Sequence, residues 1–122
     1  MSPEHLKQAA LEKLGVVPAG GPYPADDVEK VTQKYEALHA ELREIFQLPW
    51  WITEDIPENV EEHVISMLAF RSAADFGVPD PRYTRLRREG ALGDTPQSLA
   101  EQRMRQILVP PFISKPIKTE FF

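Results

Sequence analysis

Apolar residues recur at Val28, Val31, Tyr35, Leu38, Leu42 and Ile45, separated by three, four, three, four and three positions. That alternation lays one apolar stripe along a helix of about 22 residues, roughly 33 Å long. Pro24 marks its start, with Asp26 and Asp27 in the first turn, where the macrodipole favours acids. Before it, Ser2 and Pro3 open a shorter helix with Leu6, Ala10, Leu11 and Leu14 on one face, closed by Gly15. The Pro- and Gly-rich stretch VVPAGGPYPADD between the two reads as a loop. After the long stripe, Pro49 breaks the helix and Pro57 restarts one that carries Val60, Val64, Met67, Leu68 and Ala69 and ends at Gly77. Asp80 is expected to cap a short segment from Pro81 with Tyr83 and Leu86 inward and Gly90 as its stop. Thr95 and Pro96 are expected to open a last helix through Leu99, Met104, Ile107 and Leu108. No stretch alternates with period two for long enough to make a strand. The pattern predicts an all-α fold, a small antiparallel bundle of four to five helices over residues 1–108.

Residues 109–122, VPPFISKPIKTEFF, break this pattern. Pro110, Pro111 and Pro116 oppose helix, and 14 extended residues span at most about 46 Å. Phe112, Ile113, Ile117, Phe121 and Phe122 are too apolar for a solubilising tail. An extended C-terminal docking tail is the economical reading, an apolar strap that lies on another surface and adds backbone hydrogen bonds to it. A strap folded back over its own domain is the alternative.

Charge sharpens the picture. The 122 residues carry 14 basic and 19 acidic side chains, a net charge of -5, which argues against a general nucleic-acid coat. Residues 1–63 hold five basic and 13 acidic groups, and residues 64–122 hold nine basic and six acidic ones. Copies of such a chain attract one another head to tail, unless the asymmetry is only a solvated surface. The absence of cysteine removes disulfides, thiol catalysis and cysteine-based zinc sites. With no membrane-span-length apolar run and no signal-like start, the expectation is a soluble protein of a cytosolic or virion setting.

Chemistry is hard to assemble from these residues. His5, His39 and His63 stand singly, and EEHV is not a metal-binding HExxH; each reads as a surface or core-edge histidine. Gly20-Gly21 lacks the following Lys and hydroxyl residue of a phosphate cradle, and no serine sits in a nucleophile elbow. No catalytic residue, cofactor or metal is expected. Two clusters suit binding instead. Trp50 and Trp51 are adjacent after a proline, so one is expected to pack inward and the other to face a neighbouring subunit or partner. Arg82, Arg85, Arg87 and Arg88 form a basic cluster that is either a solvated face or an interface to DNA phosphates or a partner's acidic rim.

Taken in order, Leu14-Gly15-Val16, the Gly/Pro loop, the long amphipathic helix, Trp50-Trp51, Ile56-Pro57 and the Ala-containing helix ending at Asp75-Phe76-Gly77 resemble the head-to-tail adaptor proteins of tailed bacteriophages. The nearest likeness is to the podovirus packaged-DNA stabilisation and head-completion group, over about residues 5–108. The resemblance implies a non-enzymatic virion protein at the head-tail interface, present in host cytoplasm during assembly. It implies a homo-oligomeric, dodecameric ring beneath the portal protein that extends the DNA channel, lets DNA pass without sequence-specific binding, and offers a platform to the downstream tail or nozzle protein. In such families a C-terminal extension docks on the portal, which matches the strap inferred from Val109–Phe122. The compactness of this chain and its TEFF ending depart from the family pattern, so portal and neighbouring adaptor both stand as strap partners. The competing reading is a small helical DNA-binding regulator acting through Arg82–Arg88.

Overall fold

In the structure, a computed structural model, residues 1–108 are described. They form five α-helices and one short 3-10 turn, with no strand among the described residues: α1 (Pro3–Leu14), α2 (Ala25–Ile45), α3 (Glu61–Ser72), the turn Ala73–Phe76, α4 (Asp80–Gly90) and α5 (Leu99–Leu108). The fold is therefore all-α, as the hydrophobic pattern predicts. The proposed tail residues Pro110, Pro111, Phe112, Ile113, Ile117, Phe121 and Phe122 lie outside the described residues.

α1 begins as its sequence dictates. Ser2 is the N-cap, its hydroxyl accepting from the His5 amide at 3.2 Å, and Pro3 supplies a preset φ at the first turn. At its end Gly15 adopts φ 78°, the left-handed conformation that glycine takes without steric cost. Its amide donates to the Glu12 carbonyl, and the Val16 amide donates to that of Leu11. This paired closure satisfies carbonyls that the helix end would leave open. Along α2 the stripe is buried at Val31, Tyr35, Leu38 and Leu42, but Ile45 is 38% exposed, because the helix stops there.

α3 is the central element and packs against α1, α2, α4 and α5. Val64, Met67, Leu68, Ala69 and Ser72 are buried along it, so it loses water on more than one face. The main core joins Val64, Met67 and Leu68 to Leu6, Leu11, Val31, Tyr35, Leu38 and Leu42, and adds Phe46, Trp50, Ile56 and Val60 from the connection between α2 and α3. A second cluster of Leu14, Ala69, Ala73 and Leu86, with half-buried Tyr83 and Phe76 against it, fills the space under α4.

Three helix starts differ from the sequence expectation. α3 begins at Glu61 rather than at Pro57: Pro57–Val60 make one closed turn, the Val60 amide donating to the Pro57 carbonyl at 3.1 Å. Ile56 and Val60 are both buried there, and Val60 takes a non-helical φ of -121°. α4 is capped by Pro79, and Asp80 is its first helical residue, placed to favour the dipole rather than to cap. α5 begins at Leu99, not at Thr95: the Ser98 hydroxyl accepts from the Glu101 amide at 3.2 Å, the Ser-x-x-Glu start of a capping box. Leu99, the first residue of this helix, is 56% exposed.

Glu101 does more than complete that start. It is buried, and its carboxylate accepts from the Gly93 amide at 3.0 Å, from the Gln97 side-chain amide at 3.4 Å and from Arg105 at 3.0 Å. One anion thus ties Gly93 and Gln97 of the α4–α5 connection to α5. Glu101→Ala is expected to lower stability by about 2 kcal/mol, the loss of a buried carboxylate's hydrogen bonds, one of them to a charged donor. Urea unfolding checks this, and an unchanged midpoint would show that the connection orders itself without the carboxylate.

Candidate partner-binding face

The most chemically distinctive surface lies at the C-terminal end of α2. There the chain turns extended at Phe46 (φ -124°), whose amide donates to the Leu42 carbonyl at 2.8 Å, and Pro49 prevents helix from resuming. Trp50 is buried: its indole N–H donates to the Tyr35 hydroxyl at 3.1 Å, and its carbonyl lies 3.1 Å from Nε2 of buried His39. The His39 ring stands edge-on between Tyr35 and Trp50, with centroids 6.1 and 5.9 Å away. His39 is thus a structural part of the core. Burial also pushes the Tyr35 hydroxyl above its ordinary pKa, only partly offset by the bond from Trp50.

Trp51, one residue on, is 60% exposed. Its backbone is fixed: its amide donates to the Glu54 carboxylate at 2.7 Å and its carbonyl accepts from the Glu54 amide at 3.0 Å. The Arg43 guanidinium lies 5.2 Å from its ring centroid, and that of Arg105 lies 5.6 Å from the Phe46 ring. Between them runs an open groove of about 310 Å3 lined by Arg43, Phe46, Gln47, Leu48, Pro49, Trp50 and Trp51. None of these side chains is an acid, a histidine or a nucleophile. The floor is aromatic and the rim cationic, which suits an apolar or proline-bearing segment with exposed carbonyls or acids.

The four arginines of α4 do not share one role. Arg82 donates to the Leu14 carbonyl at 2.8 Å and lies against Gly15, capping α1 from a residue 68 positions away. Arg87 donates to Asp94 at 2.7 Å, and this bond holds its guanidinium above the ordinary arginine value. Arg85 and Arg88 are exposed, and Arg85 lines a cleft of about 240 Å3 that also contains Glu12, Lys13 and Glu89. Lys13 and Glu89 pair there at 3.0 Å. Ion pairs also join the two halves of the sequence within one chain, through Arg71–Glu41 and through Lys34–Asp75 at 3.6 Å.

Among the described residues no group of three or more His, Cys, Asp and Glu side chains could hold a metal ion, and no helix is long and apolar enough to cross a membrane. Burial, then the positive charge of Arg103, lowers the pKa of His63. A histidine depressed on folding is protonated more readily in the unfolded chain, so its contribution to stability falls as pH drops through the ordinary histidine value of about 6.5. Denaturation midpoints are expected to decline from pH 7.5 to 5.5 less steeply in His63→Gln than in the native chain, and equal slopes would refute this. No protein-family model, curated protein or solved structure matches the chain.

Proposed function

We propose that this chain is a structural head-to-tail adaptor of a tailed bacteriophage, a non-enzymatic subunit that forms a ring beneath the portal and presents a platform to the next tail component. The observation that carries the reading is Trp51, held exposed by a fixed loop over an aromatic groove on an otherwise well-packed helical domain. Tryptophan and arginine are among the residues most enriched at the hot spots of protein interfaces. The order of Leu14-Gly15-Val16, Trp50-Trp51, Ile56-Pro57 and Asp75-Phe76-Gly77, through which the chain resembles adaptors, narrows a binding module to this class. In this reading exposed Arg85 and Arg88 serve subunit contacts, and Val109–Phe122 reaches the portal.

The test is the mass of the protein in solution, alone and with a portal ring, by light scattering coupled to size exclusion. A monomer that becomes a large stoichiometric complex supports the adaptor. Trp51→Ala is expected to weaken that complex about tenfold or more while leaving the fold intact. A chain that ignores portals, yet binds duplex DNA with a steep salt dependence, would replace the adaptor with the regulator acting through Arg82–Arg88.

A further inference from the structure

We propose that the groove beside Trp51 is the docking site for this chain's own segment Pro110–Ile113. Three observations converge on it. The first is chemical. Surfaces lined by tryptophan and other aromatics take proline-rich segments, because the polyproline II backbone is already ordered and leaves its carbonyls free to accept hydrogen bonds. The groove offers Pro49 and Trp51 as stacking surfaces and Arg43 as a donor on the rim, and the segment reads Pro-Pro-Phe-Ile.

The second is reach. α5 ends at Leu108, and Arg105, one turn earlier, already lies over Phe46, a residue of the groove. Ile107 and Leu108 pack on the core that contains Phe46. Phe112 follows Leu108 by four residues, a span of up to about 14 Å when extended. The third is tethering. A segment joined by so short a linker faces its groove at an effective concentration in the millimolar range, well above that of a second copy in dilute solution. The inference concerns the isolated chain, before segment and groove are released to a portal or another partner, so its failure would leave the adaptor reading untouched.

The chain has no cysteine, which makes disulfide trapping in the full-length protein clean. Gln47 lines the groove and is exposed; Asp26 sits in the first turn of α2. The two are about 30 Å apart along the helix axis. Under mild oxidation Gln47→Cys with Ile113→Cys is expected to close an intramolecular disulfide at least about tenfold faster than Asp26→Cys with Ile113→Cys, and adding Phe112→Ala is expected to remove most of that advantage, since a tethered but undocked tail keeps only the effect of proximity. Equal rates would overturn the proposal. Disulfide-linked dimers as the main product would overturn it too, by assigning the groove to a second copy. Acrylamide quenching of tryptophan fluorescence gives an independent reading without cysteines. Phe112→Ala is expected to raise it and Phe122→Ala to leave it unchanged, whereas no effect of Phe112→Ala would show that the segment does not cover the groove.

Discussion

Gly90→Ala is expected to lower the stability of the folded chain by about 3 kcal/mol, at the upper end of what overpacking costs. In an ordinary helix the same change is favourable by about 1 kcal/mol, because alanine loses less backbone entropy. The sign reverses here because α4 crosses α3 with nothing between them. A β-carbon on Gly90 would lie 2.2 Å from the Ser66 carbonyl oxygen, 2.5 Å from its carbon and 2.9 Å from the Met67 nitrogen. All three are backbone atoms in the middle of α3, so no side chain can swing aside. α4 would have to lift, opening the layer where Leu86 packs on Ala69 and Ala73. Arg88→Ala, on the exposed side of the same helix, serves as the control and is expected within about 0.5 kcal/mol of the native chain. A Gly90→Ala protein as stable as the control would mean that the α3–α4 crossing is looser than its geometry.

The same residue shows how far the sequence could be read. Gly90 is legible as a stop signal, and α4 does end there; that its missing side chain also sets a helix crossing depends on Ser66, 24 residues earlier, and no local pattern carries it. The helices themselves were legible because their apolar spacing is local and strong. The starts were less so. Thr95-Pro96 is a louder signal than Ser98-x-x-Glu101, yet the Ser98 cap governs: its hydroxyl accepts from the Glu101 amide, while the Glu101 carboxylate accepts from Gly93 in the turn and from Arg105 in the helix. Pro57 suggested a helix start for the same kind of reason, and burial of Ile56 and Val60 delayed it. At the candidate site, the opposed facing of Trp50 and Trp51 followed from their adjacency. The rim did not, because Arg105 and Arg43 come from different helices. Neither did the dispersal of the basic cluster, since Arg82 and Arg87 find partners that helical spacing does not reveal.

Trp50→Ala is expected to destabilise the protein by about 3–5 kcal/mol, the range for truncating a buried aromatic side chain. The indole is 4% exposed and sits where the 46–60 connection meets α2. Removing it leaves a void beside His39 and leaves the Tyr35 hydroxyl without its donor. Trp50→Phe keeps most of the volume but loses that hydrogen bond and part of the ring, so its cost should be about 1–3 kcal/mol. Trp51→Ala, next in sequence, removes a side chain that is 60% exposed and is expected to change stability by no more than about 0.5 kcal/mol. The three variants separate presentation from recognition. If Trp50 is the anchor that fixes Trp51 in place, Trp50→Phe retains binding to whatever partner Trp51 meets, and Trp51→Ala loses it with the fold intact. Fluorescence gives the same separation when both variants also carry Phe112→Ala to free the groove: emission from Trp50 alone, in Trp51→Ala, is expected at shorter wavelength than emission from Trp51 alone, in Trp50→Phe, since only the first indole is then shielded from water. Equal emission from the two variants, or equal loss of stability on truncating either tryptophan, would mean that the loop does not hold one ring in and the other out, and the groove would lose its claim to be a preformed binding surface.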